Sequence, residues 1–388
     1  MWVIEITDMK YSRVVEDVSK LVWPRPMKLF TAGPVACFPE VLEAMRLQMF
    51  SHRSKEYRAL HEDTVMRLSK FLEVEEGTVL LFPSSGTGVM EGTVRNFVRP
   101  GGKVLVTIIG AFGKRYRQVV ESNGRVAVTL EKRGGEPVLP EELDDALRRN
   151  PDVEAVTITY NETSTGVLNP LKELASVVKS HGKLVFVDAV SAMGAADIKF
   201  DKWGLDAVFS SSQKAFGLPP GLAIGVFSQE ALRKAETVEG RGWYFDILNY
   251  VKYQSKQSST PSTPPIPQII GMNVVLRIMD EMGGKYAWLR MYEERAEMIR
   301  SGVRRMGLSL LAREGYESPT ITCVKTPPGV NGLEVYERMR GRGFELAKGY
   351  GDFKETTFRI GHMGYMPKEI IEEMLTNLEQ VIKELRGG

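Results

Sequence analysis

The chain has little of the chemistry that staples small secreted proteins or builds metal sites. It carries two cysteines, Cys37 and Cys323, in 388 residues. Both sit among apolar neighbours without metal-ligand spacing, and so few thiols suit a reducing cytoplasm. The four histidines, His52, His61, His181 and His362, form no ligand pattern either. No metal site is therefore expected. No apolar run reaches the length of a membrane span. Residues 1–20 mix charges with apolar residues and lack the apolar core of a signal peptide. Neither charge dominates: 51 basic against 49 acidic residues give a net charge of +2. Nothing in that balance draws the chain to nucleic acid or to an acidic membrane. No internal repeat or low-complexity tract is visible. What remains is an ordinary globular composition, long enough for two domains.

From about residue 77 the pattern becomes regular. Val79–Phe82, Lys103–Ile108, Val126–Leu130, Val153–Thr159, Leu184–Val187, Ala207–Ser210 and Ala223–Phe227 read as strands, with helical spacing between most of them. Strands alternating with helices predict an α/β sheet, mainly parallel. In such sheets ligands sit beyond the carboxyl ends of the strands. Residues 1–28 read as an N-terminal arm, with Val14, Val15, Val18 and Leu21 at helical spacing. Residues 29–280 read as a large domain and 281–388 as a smaller C-terminal domain. The latter has strands near 319–325 and 356–361. It ends in a helix whose Ile371, Met374, Leu375, Leu378, Ile382 and Leu385 form one apolar stripe. Residues 255–267 are rich in Ser, Thr, Gln and Pro, which reads as a linker by composition. A loop carrying hydroxyls to a site is the other reading.

The chemistry gathers at the predicted strand ends. Val208–Ser212 runs from apolar residues to small hydroxyls, then offers Gln213 and a single amine, Lys214, before Gly217, Pro219 and Pro220. A lysine delivered to a cleft loses solvation, drops its pKa and can form a Schiff base. Asp188 ends another strand. A lysine imine and an aspartate facing a pyridinium nitrogen are the pair that pyridoxal phosphate (PLP) chemistry needs. Pro83–Val89 lies between a strand and a helix, where small residues and free amides suit a phosphate. Its glycines match neither the dinucleotide fingerprint nor a nucleotide P-loop. Phe112, at the next strand end, is either core or a ring stacked on a flat cofactor. The hydroxyls of Tyr160–Gly166 either bond a cofactor or cap a helix. Arg359, between Phe358 and Ile360, is either an ion-pair residue or a fork for a substrate carboxylate. Ser51–Ser54 is either a helix cap or an anion contact.

Together these stretches resemble class V of the fold-type I PLP aminotransferases, and in particular their alanine–glyoxylate and serine–pyruvate (serine–glyoxylate) branch. The resemblance runs from about Leu29 to the C-terminus. It is carried by Ser85-Gly86-Thr87-Gly88, Asn161–Val167, Val187–Ser191, Ser211–Ala215 and Phe358–Gly361. It implies a mainly parallel seven-stranded sheet in a large domain plus a smaller α+β domain. It also implies PLP as cofactor and a homodimer with shared active sites. By position, Lys214 would carry the Schiff base and move the proton, and Asp188 would hold the pyridine nitrogen protonated. Phe112 stands where relatives often stack a tryptophan, with Val190 on the opposite face. Thr87, Gly88, Val89 and Gln213 would bind the phosphate, and Thr163 the phenolate or ring. Thr263 matches a threonine reaching the phosphate from the other subunit, and Thr260 takes the place of a nearby tyrosine. Arg359, with Gly33, would bind the substrate. The implied reaction is ping-pong transamination from alanine or serine to glyoxylate. Phosphoserine aminotransferase is the neighbouring reading, since His52-Arg53 resembles that branch's phosphate-binding pair. A cysteine desulfurase-like lyase usually has histidine before the lysine, where this chain has Gln213. A non-catalytic PLP-binding protein could dispense with Lys214, Asp188 and Arg359, which are all present.

Overall fold

The computed structural model describes Glu16, Asp17 and residues 27–387. The rest of the expected arm lies outside the described residues. The large sheet has seven strands: β1 (Thr78–Phe82), β2 (Lys103–Ile108), β3 (Val126–Glu131), β4 (Val153–Thr159), β5 (Leu184–Asp188), β6 (Ala207–Ser211) and β7 (Ala223–Phe227). Their order is β1-β7-β6-β5-β4-β2-β3. Only β7 runs against its neighbours β1 and β6. The carboxyl ends of the other strands therefore open on one edge. β5 and β6 are buried along their whole length, which is why they are apolar runs rather than alternating ones.

Helices cover both faces, so the sheet sits between two apolar layers. One layer joins Leu81, Val156, Val185 and Val208 to Phe216, Met272 and Trp288. The other joins Phe82, Val106, Phe186 and Phe209 to Val94, Tyr116 and Tyr250. Helix α1 (Gly86–Phe97) follows β1, and α2 (Ala111–Ser122) follows β2.

The smaller sheet, β8 (Ser309–Leu310), β9 (Ile321–Lys325), β10 (Ala347–Lys348) and β11 (Thr357–Gly361), is antiparallel in the order β8-β9-β11-β10. The terminal helix Lys368–Gly387 buries Ile371, Met374, Leu375, Leu378 and Ile382 against it, as the periodicity predicts. Two features join the two sheets and their cores. Lys28–Leu29 pair in parallel with Phe344–Glu345, and Phe30 sits in the small-domain core. Helix α3 (Lys285–Arg305) buries Trp288 and Tyr292 in the large core, and Ile299 and Val303 in the small one.

The linker reading of residues 255–267 does not hold. Residues 255–257 finish the helix Ile247–Gln257, whose C-cap Ser258 is left-handed at φ 45°. Residues 266 and 267 open the helix Ile266–Glu281. Between them Ser259 and Thr260 are buried. Composition mistook an ordered, hydroxyl-rich loop for a flexible one because Ser, Thr and Pro serve both. Among the described residues no helix is long and apolar enough to cross a membrane.

Candidate active site

Five strand ends converge on one cavity of about 160 Å³. Its lining includes Thr87 after β1, Phe112 after β2, Thr163 after β4, Asp188 and Val190 at and after β5, and Gln213 and Lys214 after β6. The turn that presents Lys214 is bonded to itself. Ser212 N–H donates to Leu222 O at 2.9 Å, and Leu218 N–H donates to Ser212 O at 3.1 Å. Ser212 Oγ–H donates to Pro219 O at 2.7 Å. Lys214 is thus carried on a rigid loop. Its amine donates to the carbonyl of Ala32. Gly33 lies against the same side chain: a Cβ there would stand 2.6 Å from Lys214 Cδ, and its φ is +103°. Only glycine fits that position.

Electrostatics sharpen the pair. Burial, with help from Arg359 and Arg115, lowers the Lys214 amine to about 8, against the pull of Asp188. Burial raises the Asp188 carboxyl to about 7, and nearby Glu162 adds to that. Val190 N–H donates to Asp188 Oδ1 at 2.9 Å and opposes the rise. An amine pushed down and an acid pushed up in one cleft make this a candidate site for proton transfer.

Glu162 is fully buried, and its oxygens accept from the backbone N–H groups of Phe112 (2.9 Å), Gly113 (3.2 Å) and Ser164 (3.1 Å). A carboxylate there caps the N-terminus of α2 and fixes Phe112 at the cavity wall. Phe112 lines the cavity rather than the core. Arg359 is buried and tied to the smaller sheet and to a turn of the large one: Nε donates to Lys348 O at 2.8 Å, and Nη1 donates to Thr163 O at 2.7 Å. Burial pushes its pKa down, yet guanidinium remains the charged form.

The sequence profile of the family described as aminotransferase class-V matches residues 29–349. The chain belongs to the class-V aminotransferases. It is 34% identical over 359 residues to an uncharacterized aminotransferase of Methanocaldococcus jannaschii, covering 92% of this chain and 93% of that one. It is 33% identical over 347 residues to a serine–glyoxylate aminotransferase of Methylorubrum extorquens, covering 87% and 86%. The crystal structure of an alanine–glyoxylate aminotransferase from Nostoc aligns with a TM-score of 0.88 at 29% identity, covering 92% and 96%. A phosphoserine aminotransferase from Cytophaga hutchinsonii is a more distant structural neighbour, with a TM-score of 0.81 at 25% identity. Class-V aminotransferases are PLP-dependent, and the fold is the expected fold-type I transferase.

Several expected contacts fall elsewhere in the single chain of this aminotransferase. Gly88 and Val89 do not line the cavity, and the Val89 side chain enters the core. Arg359 and Gly33 border it through Thr163 and Lys214. Thr260 is buried and donates to Ser262 O at 2.6 Å, while Thr263 is exposed. Neither reaches the cavity of its own chain. Ser54 caps the helix Lys55–Leu72, and Arg53 turns to Gln257 at 3.1 Å. His52 and Arg53 are likewise not among the cavity lining. Cys323 is buried in β9 and Cys37 is half-buried. Ser85, Met90, Arg115, Asn161, Ser191 and Ser211 line the cavity without having been assigned a role. Arg115 was detectable in principle, since it lies one helical turn after Phe112.

Proposed function

We propose that this aminotransferase binds PLP in the cavity around Lys214 and moves an amino group from alanine or serine to glyoxylate. One observation carries the reading: Lys214 and Asp188 share a cavity that also holds the N-terminus of α1. The cavity residues fit the cofactor. Ser85, Gly86 and Thr87 at the helix N-terminus suit its phosphate. A Cβ on Gly86 would stand 2.4 Å from Val190 Cγ2, so the backbone there must stay bare. Three buried polar atoms on the lining, Asn161 Oδ1, Ser211 Oγ and Gln213 Oε1, have no partner among the described residues. Phe112 and Val190 supply the two apolar faces for a flat ring, and Thr163 an edge contact. Thr87 and Gln213 would hold the phosphate.

When bound, PLP supplies a reactive aldehyde carbon and a ring that draws electrons from the substrate Cα. The chain does the rest. Asp188, as an anion, keeps a proton on the ring nitrogen. Lys214, as a neutral amine, takes a proton from the substrate Cα and returns it. Arg359 orients the substrate carboxylate with its remaining N–H groups. Gly33 leaves room for Lys214 to swing. Thr260 and Thr263 belong to a loop that would serve the partner's cofactor in a homodimer. Exposed Leu42, Leu47, Met49, Trp243 and Tyr244 are apolar surface of the kind such an interface covers. The two free cysteines fit a cytoplasmic enzyme.

The relatives' names supply the substrates, and a donor–acceptor panel tests them. Cofactor half-reactions followed by absorbance are expected to be fastest with alanine or serine as donor and glyoxylate as acceptor. Faster turnover of phosphoserine with 2-oxoglutarate would reject the assignment.

A further inference from the structure

Arg115 has a place in the cavity that neither the cofactor fit nor the substrate clamp requires. It lies one turn after Phe112 on α2, so both side chains reach the same wall. Its guanidinium carbon stands 4.7 Å from the centre of the Phe112 ring. Among the described residues its side chain makes no hydrogen bond and no ion pair, although the residue is half-buried. A half-buried arginine usually finds a carboxylate. Glu162, the other buried acid near Asp188, is taken up by backbone N–H groups and by Ser164 Oγ–H. The charge of Arg115 is therefore not cancelled by contact and acts through the cavity, where low dielectric lengthens its reach.

Asp188 and Lys214 both feel that charge. Asp188 also faces Glu162, Lys214 and the buried hydroxyl of Tyr116. Lys214 also faces Asp188 and Arg359. Burial alone would neutralise Asp188, and an adjacent carboxylate would keep Lys214 protonated. The proposed reaction needs the opposite in both cases. A nearby cation favours the ionised acid and the neutral amine together.

We propose that Arg115, packed against the ring of Phe112, is an electrostatic positioning residue that keeps Asp188 an anion and Lys214 a neutral amine. The inference rests on the reading of the cavity as a PLP site. It deepens that reading by giving the unpaired cation a task.

The test uses intact protein: native, Arg115→Gln and Arg115→Lys. Each is loaded with PLP, and the cofactor absorbance is titrated against pH. PLP affinity of the cofactor-free protein is measured by fluorescence. Loss of the cation favours the protonated nitrogen, so the spectral midpoint of Arg115→Gln should rise by about one pH unit. Arg115→Lys keeps the charge and should shift far less, with affinity closer to native. Arg115→Met, which resembles the arginine stem, replaces the Gln variant if that does not fold. An unmoved midpoint in the neutral variant, or equal shifts in the Gln and Lys variants, would overturn the charge role and leave Arg115 as packing for Phe112. If the native protein takes up no PLP, the cofactor reading itself falls, and this inference with it.

Discussion

Asp188 is a buried acid whose charge the protein tolerates for function rather than for stability. Its folded-state value of about 7 lies above the ordinary 3.8. The unfolded chain therefore releases that proton at lower pH than the folded one. Between about pH 4 and pH 7 the cofactor-free protein loses stability through this group, and above pH 7 the loss is constant. Three pH units convert to roughly 4 kcal/mol as an upper bound. Asp188→Asn should accordingly stabilise the cofactor-free protein at pH 8 and not at pH 4, while weakening PLP binding. Urea unfolding at the two pH values measures it. Equal effects at both would show that burial does not raise this carboxyl. At this scale the sequence was informative because Lys214 and Asp188 are reactive types placed at strand ends, and Arg359 is a cation set between apolar neighbours within a strand. It could place Arg115 one turn after Phe112 but not show that its side chain lacks a partner. Nor did it show that Gly33 touches Lys214, since the two are far apart in the chain.

At the scale of elements, the site is a set of strand-end turns, two of them leading into helices, held in register by one mainly parallel sheet. Those turns were legible, because a change from apolar run to small residues marks where a buried strand meets a cleft. The short hairpin of Asn161–Glu162 with Val167–Leu168 was not legible, since two-residue strands carry no period. Its Glu162 does the work of an N-cap for a helix about fifty positions away in the chain. A capping carboxylate normally sits beside its helix, so no local signal announces this one. Glu162→Gln should cost about 1–2 kcal/mol of stability, because one amide group cannot accept all the donors that the carboxylate does. It should also weaken PLP binding by freeing Phe112. Denaturant unfolding and a PLP titration check both; a loss of stability with unchanged PLP affinity would separate the cap from the cofactor wall.

At the scale of the whole molecule, the two sheets meet around Arg359. Its contacts to Lys348 O and Thr163 O place the proposed carboxylate fork where both sheets define it. The helix Lys285–Arg305 and the paired residues 28–29 tie the same two bodies together. The α/β class and the small domain's terminal helix could be read from periodicity. The role of residues 28–30 in the small-domain core could not, because pairing distant in sequence leaves no local pattern.

The central claim is that PLP is held covalently by Lys214 in the cavity it shares with Asp188. Incubating the protein with PLP, reducing with borohydride and mapping the peptides by mass tests it directly. The account predicts one pyridoxyl group per chain, on Lys214, and none in Lys214→Ala. Stoichiometric label on another lysine, or no label at all, would contradict it.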